Sequence, residues 1–260
     1  MKMTGNTILV TGGTSGIGLG LALRFCQAGN KVIVAGRRKE LLEQIAAGHE
    51  GIETLVLDVA DPASIARAYE TVSSRYPEVN VVINVAGIML PEDLHDSGFL
   101  PAAESTVTTN LLGPIRMLAA FIPFLAEQKD AAVINVSSGL AFVPLPITPT
   151  YNATKAAIHS FTESLRVQLA DTPVQVLELI PPAVRTALMG QQDSEQAMPL
   201  DDFLSEVMTI LQTQPDPGQI IVDNVRFLRF AEAGGTYGKV LSLLSGTDHA
   251  SEGKLPCPSS

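Results

Sequence analysis

The feature that most restricts what this chain can fold into is a glycine-rich turn near its start, set between two periodic segments. An apolar run, Thr7–Val10, leads directly into Thr11-Gly12-Gly13-Thr14-Ser15-Gly16-Ile17-Gly18, and a helical pattern follows. Glycine at 12, 16 and 18 lets the backbone turn tightly and approach a pyrophosphate with no Cβ in the way. A helix opening near Gly16 adds unpaired N–H groups and the positive end of its dipole, which suits an anion. An ordinary turn can carry the same glycines; the place between a strand and a helix is what points to phosphate binding.

The rest of the chain repeats the strand–helix rhythm. Short β-branched runs recur at Lys31–Ala35, Glu53–Leu57, Asn80–Asn84, Ala132–Val136 and Val174–Ile180. Between them, Val107, Leu111, Ile115, Leu118, Ile122 and Leu125 keep a helical spacing, as do Ile158, Phe161, Leu165 and Leu169. Strands without strict alternation fit a sheet covered by helices on both faces. The expected fold is therefore α/β, a doubly wound parallel sheet (Rossmann-type), in one domain over residues 1–240. Two regions break the rhythm. Residues 181–217 are rich in Pro, Gln and Asp around one amphipathic piece, Leu200–Leu211, which predicts a substrate lid at about 187–213. After Gly234 the sequence drifts to Gly, Ser and Pro, and residues 241–260 are expected to form a loosely ordered tail.

Composition narrows the function classes. An apolar fraction of 46% with 17% charged residues describes a buried globule, not a disordered chain. The 17 basic and 27 acidic residues, net charge −10, repel phosphate backbones and argue against nucleic acid as a partner. Apolar stretches such as Val81–Leu90 fall short of the roughly 18 residues a membrane span needs. The first residues do not read as a signal peptide, since one Lys precedes only the short run Ile8–Val10. Cys26 and Cys257 give neither a disulfide framework nor metal spacing, and His49, His95, His159 and His249 are scattered, so no metal is expected. The expected address is a reducing cytoplasm.

The end of the second strand speaks to the cofactor. A nicotinamide dinucleotide fold places an acid there for the ribose hydroxyls of NAD, whereas a basic residue suits a 2′-phosphate. This chain reads Val34-Ala35-Gly36-Arg37-Arg38, with no acid. Guanidinium groups bind phosphate bidentately, so the expected cofactor is NADP, with Arg37 on the phosphate and Arg38 or Ser15 assisting. Starting the next helix in solvent is the plainer use of the same two arginines.

A candidate reactive group is Tyr151-Asn152-Ala153-Thr154-Lys155, preceded by Asn135-Val136-Ser137-Ser138; taken alone, a tyrosine and lysine at this spacing are an ordinary surface pair on any helix. Four residues apart on a helix, Tyr151 and Lys155 share a face. An ammonium beside a phenol favours the phenolate, and the expectation is a Tyr151 pKa lowered toward the working range, fit for general acid–base work.

Taken together and in order, these motifs resemble the short-chain dehydrogenase/reductase family from about residue 5 to 190, and a Pro-Pro loop with the Met198-Pro199-Leu200 and Asn224–Glu232 stretches resembles one bacterial oxidoreductase subgroup. The resemblance implies a cofactor loop of Gly12, Thr14, Ser15, Gly16, Ile17 and Gly18, and an adenine contact at Asp58-Val59. It implies that Asn84 braces the sheet while Ala86 and Gly87 line the cofactor cleft. It assigns Ser138 the substrate oxygen, with Ser137 as the adjacent candidate, and gives Asn110 a water that passes protons to Lys155. Pro181, Val184 and Thr186 match the nicotinamide loop, although Pro182 stands where glycine is common and removes an N–H. Members pair through the helices carrying Asn110 and Tyr151, which implies a homodimer or homotetramer.

The function expected is an NADPH-dependent carbonyl reductase or alcohol dehydrogenase acting on a small ketone or secondary alcohol. Leu188, Met189, Phe203 and Leu204 of the lid, with Leu140, Phe142, Leu145 and Phe99, are the expected apolar pocket. Two alternatives stay open: a 3-oxoacyl carrier-protein reductase of the same fold, and a non-catalytic NADP-binding sensor or scaffold.

Overall fold

A computed structural model describes residues 1–214 and 216–246. Among them, β1 (Thr7–Thr11), β2 (Lys31–Gly36), β3 (Ile52–Val56), β4 (Val81–Asn84), β5 (Ala132–Val136), β6 (Gln175–Ile180) and β7 (Gln219–Ile221) form one parallel sheet. Its order is β3-β2-β1-β4-β5-β6-β7, which reverses direction between β1 and β4. A crevice opens at that switch point, beyond the carboxyl ends of the strands.

The strands bury both faces. Ile8, Val10, Val32, Val34, Val81 and Ile83 point into one core, while Leu9, Ile33, Ala35 and Val82 between them point into the other. The first core is roofed by α1 (Gly16–Gln27), α2 (Lys39–Gly48) and α7 (Leu200–Thr213), and the second by α3 (Pro62–Arg75), α5 (Gly113–Ala126) and α6 (Pro149–Gln168). Phe25, Phe121 and Phe203 are fully buried, each contributing about 1.5–3 kcal/mol by removal from water. Local signals set the helix starts: Asp61 caps α3 by accepting from the Ala63 N–H at 2.9 Å, and Pro62 and Pro149 stand in first turns where a missing N–H costs nothing.

Three expectations need correction. The single helix expected over 107–125 is a longer rod in three parts, α4 (Leu100–Val107), a π turn (Thr108–Leu112) and α5. Helical structure from Ser97 to Ala126 is long and apolar enough to cross a membrane, by length and composition alone. Its Met117, Leu118, Phe121 and Leu125 are spent on the sheet, as in a core helix. The lid is the second correction. Within 187–213, α7 is a structural helix whose stripe Phe203, Leu204, Val207 and Leu211 packs into the core, with Leu204 against Gly20 of α1. Only the segment before it is irregular, with Met189 and Gly190 at positive φ and a short bridge between Val184 and Met198. Third, the tail begins as a helix: α8 (Arg226–Arg229) and α9 (Tyr237–Ser245) follow β7, and Val240 is in the core. Residues 247–260 of that expected tail lie outside the described residues.

Candidate active site

A cavity of about 1100 Å³ runs along the crevice from the glycine loop to α9. Its floor at one end is the turn after β1. Gly12 has φ +64°, and a Cβ there would sit 2.7 Å from the Ala86 Cα; a Cβ on Gly18 would meet the Gly12 carbonyl oxygen at 2.3 Å. Thr11 locks the two loops together by accepting from the Val85 and Ala86 N–H groups at 3.1 and 3.3 Å. Ser15 precedes α1 in extended backbone and leaves the first turn uncapped by its side chain, so the helix N-terminus faces the cavity. Thr186 comes up against Gly16 from the other side.

Gly12, Thr14, Ser15, Gly16, Ile17 and Gly18 all line this cavity, as do Arg37, Arg38, Asp58 and Val59 at the end of β2 and the loop after β3. Arg38 is tied back, donating to the Thr14 hydroxyl at 3.1 Å, while Arg37 is exposed. Ala86, Gly87, Pro181, Val184 and Thr186 line it further along. Asn84 does not: its amide donates to Asn135 Oδ1 at 2.9 Å, bracing β4 against β5. No acid stands beside Gly36, whose missing side chain leaves room for Thr14.

The reactive side chains meet where β5 runs toward α6. Ser138 is extended at the head of a tight turn and accepts from the Leu140 N–H at 3.1 Å. Its hydroxyl lies near enough to the phenol of Tyr151 to favour the phenolate. Lys155, one turn on, donates to the Val136 carbonyl at 2.8 Å, with Nζ 5.5 Å from the centre of the Tyr151 ring. The expected lowering of the Tyr151 pKa is absent. Burial pushes the phenol up to about 12 and the neighbouring Ser138 hydroxyl offsets this only in part. Burial also lowers the Lys155 ammonium to about 8. Desolvation dominates both shifts, so at neutral pH Tyr151 keeps its proton.

Asn110 braces a neighbouring loop. It lies in the π turn, buried, and both ends of its amide are spent on Ile88: Oδ1 accepts from the N–H at 2.8 Å and Nδ2 donates to the carbonyl at 2.7 Å. Its side chain thus fixes the loop after Gly87.

Three of the eight residues expected in the apolar pocket line the cavity, Leu140, Leu145 and Leu188. Phe203 and Leu204 belong to the core beneath α7. Phe142 packs its ring edge-on to His159 with centroids 4.8 Å apart, and neither Phe99 nor Met189 reaches the cavity wall. In their place stand Met89, Met198, Phe227, Leu228, Leu243 and Leu244. Phe227 and Leu243 came from stretches with too little periodicity to mark them; they are half and mostly exposed, respectively.

This arrangement has relatives. The sequence profile of the short chain dehydrogenase family matches residues 6–197. The chain belongs to the short-chain dehydrogenase family. It is an oxidoreductase, and its similarity extends to the oxidoreductase DltE of Bacillus subtilis (strain 168), 42% identical over 209 residues, 79% of this chain and 82% of that one. Among solved structures, a short-chain dehydrogenase from Burkholderia cenocepacia J2315 in complex with NADP superposes with a TM-score of 0.79 at 25% identity, covering 94% of this chain and 98% of that one. A 3-ketoacyl-(acyl-carrier-protein) reductase from Brucella melitensis complexed with NADH gives 0.74 at 28% identity, covering 84% and 96%. The family thus supplies both nicotinamide cofactors among this chain's structural relatives.

Proposed function

We propose that this short-chain dehydrogenase is an NADPH-dependent carbonyl reductase, and in reverse an alcohol dehydrogenase, with Tyr151 as general acid and base. The observation that carries the reading is the buried group at the end of β5: a phenol that keeps its proton, beside Ser138, with Lys155 anchored next to it on a cavity that begins at the glycine loop.

The residues present suit a dinucleotide phosphate. The cradle at Gly12 and Gly18 has no room for a Cβ, the α1 N-terminus opens on it, and Arg37 and Arg38 provide positive charge where an acid would repel a 2′-phosphate. When bound, NADPH supplies the hydride that a carbonyl carbon accepts. Ser138 turns its hydroxyl to donate to the substrate oxygen, and Tyr151 gives its proton to that oxygen as charge builds there. Lys155 stabilises the phenolate left behind, and in the oxidative direction Tyr151 takes the proton back. Asn110 contributes by holding Ile88 and the strand-end loop that bounds the cavity. Leu140, Leu145, Leu188, Met198 and Phe227 support a ketone with an aliphatic or aromatic body.

The likeness to a 3-ketoacyl carrier-protein reductase supports a second reading with the same chemistry and an acyl substrate. The net charge of −10 weighs against the basic docking face that reading needs. A homodimer or homotetramer paired through the rod that carries Asn110 and through α6, working in a reducing cytoplasm, completes the proposal; Leu112 of the π turn and Val167 of α6 are exposed. The test is a screen of ketones, secondary alcohols and 3-oxoacyl thioesters with NADPH, NADH and their oxidised forms, read at the nicotinamide absorbance. Turnover of ketones with NADPH supports the first reading, turnover confined to acyl thioesters the second, and none with any substrate contradicts both.

A further inference from the structure

Behind the site, a row of polar side chains crosses the sheet where apolar ones would be expected. Asn84, Asn135, Glu178 and Gln219 are in register on four adjacent strands, β4 to β7. Asn84 and Asn135 bond to each other, and Asn135 goes on to Thr162 of α6 at 3.0 Å. Glu178 is the costly member, a carboxylate fully buried in the middle of β6. Burial pushes its pKa up, yet hydrogen bonds from His159, Ser137 and Gln219 hold it below the usual carboxylate range. An isolated buried charge would cost several kcal/mol, so the pairing has to be near complete. It is: Ser137 donates to Oε1 at 2.5 Å, His159 Nδ1 lies 2.9 Å from Oε2, and Gln219 donates to Oε2 at 2.9 Å. Gln219 is in turn fixed by Arg229 at 3.1 Å, whose guanidinium lies over the Phe142 ring.

The partners of this carboxylate are placed by the same helix that carries Tyr151. Residues 151, 155 and 159 stand one turn apart on α6, so their side chains share a face. Each addresses a different one of residues 136–138: Lys155 holds the carbonyl of Val136, Tyr151 faces the hydroxyl of Ser138, and His159 reaches Ser137 through Glu178. Ser137 cannot serve as a second substrate contact in this state, because its hydroxyl is committed to Glu178. The order Ser137–Glu178–His159 puts the carboxylate between the hydroxyl and the imidazole, so it is not a nucleophile–base pair.

We propose that Ser137, Glu178 and His159 are positioning residues: together they fix the turn from which Ser138 meets Tyr151. The proposal rests on the reading of Ser138 and Tyr151 given above. Removing the Glu178 contact leaves Tyr151 and Lys155 intact but frees Ser137 and, one residue on, the orientation of Ser138. A displacement of this kind, on the order of an ångström, lowers turnover by about ten- to a hundredfold.

The experiment compares wild type, Ser137→Ala, Glu178→Gln, their double variant, His159→Ala, His159→Asn and Tyr151→Phe. The readouts are kcat and KM with NADPH and a ketone from the screen, NADPH affinity by fluorescence, and amide hydrogen exchange at Gly139 and Leu140 in the protein alone. Ser137→Ala and Glu178→Gln should each lower kcat by about ten- to a hundredfold with NADPH affinity little changed. The double variant should be no worse than the poorer single, since both break one contact. His159→Asn, whose amide can stand in for Nδ1, should regain part of what His159→Ala loses, and exchange at Gly139 and Leu140 should quicken in the impaired variants. Wild-type kcat in folded Ser137→Ala and Glu178→Gln overturns the proposal, as does a kcat loss matched by an equal loss of NADPH affinity. If Glu178→Gln fails to fold, Ser137→Ala decides. If Tyr151→Phe is inactive while Ser137→Ala and Glu178→Gln are unimpaired, only this inference falls. If Tyr151→Phe is active, or no ketone is turned over, the acid–base reading falls and the exchange rates alone decide the positioning: unchanged protection overturns it, faster exchange upholds it.

Discussion

The two ends of the cavity are built on different principles. At the phosphate end, the walls are mostly backbone: Gly12, Gly18 and Ala86 approach so closely that a single methyl group has nowhere to go, and the Thr11 hydroxyl stitches the loops by accepting from two main-chain N–H groups. At the mouth, the walls are side chains borrowed from segments far apart in sequence, Leu145, Leu188, Phe227 and Leu243, on turns and short helices. A backbone cradle tolerates almost no substitution, whereas a side-chain wall is adjustable one residue at a time. That difference suits one end to a fixed cofactor and the other to a substrate that varies across a family.

The contrast can be broken at either end. Gly12→Ala should weaken NADPH binding by about a hundredfold, since a positive φ and a 2.7 Å overlap with Ala86 together strain the loop by a few kcal/mol. Unaltered affinity by fluorescence titration would show that the loop yields. Next in size is cofactor choice. Arg37→Ala should cut the preference for NADPH over NADH about ten- to a hundredfold, the value of a charge-assisted hydrogen bond of about 1.5–3 kcal/mol. Putting an acid at Gly36 is a poor test, because its Cβ would lie 2.6 Å from the Thr14 methyl. The ratio of kcat/KM for the two cofactors measures the effect, and an unmoved ratio would remove Arg37 from phosphate recognition.

Smaller effects are expected at the mouth. Phe227→Ala should raise KM for bulky ketones several-fold, the value of one partly exposed aromatic contact, and leave NADPH affinity alone. Phe203→Ala provides the contrast: it should cost about 3–5 kcal/mol of stability in denaturant unfolding, because Phe203 is core, without a selective change in KM. Least in size is the pH response. Burial lowers Lys155 to about 8, so its ammonium is present below that pH and lost above it. Ketone reduction should therefore be level near neutrality and fall as pH rises through about 8; a kcat that stays level well above that value would deny Lys155 its charge-stabilising part.

The same contrast explains what could be read from the sequence. Backbone sites leave marks at fixed spacing, so the glycine loop, the missing acid before Arg37, and Tyr151 with Lys155 were legible, as were six strands. β7 was not: three residues between Pro217-Gly218 and Val222 carry too little pattern. Phe203 and Leu204 misled because an amphipathic helix inside a polar stretch resembles a lid, while only its packing on α1 shows that the stripe faces inward. Phe227 and Leu243 left no mark because a side-chain wall needs no spacing. Glu178 was hidden in an apolar run, and its partners Ser137, His159 and Gln219 become visible only once strand register brings them together. The direction of the Tyr151 shift was missed for a related reason: helix spacing places the ammonium, but burial, which dominates, is a property of the whole fold.

The central claim, that Tyr151 is the proton donor of an NADPH-dependent reduction, is tested most directly by Tyr151→Phe. The measurement pairs single-turnover reduction of a ketone by bound NADPH with the dissociation constant of NADPH in the same variant. The account predicts turnover lowered by about 10²–10⁴-fold, the usual contribution of a positioned general acid, with NADPH affinity within a few-fold of wild type. Turnover retained above about a tenth of wild type would contradict it, because a residue supplying the proton cannot be removed at so small a cost.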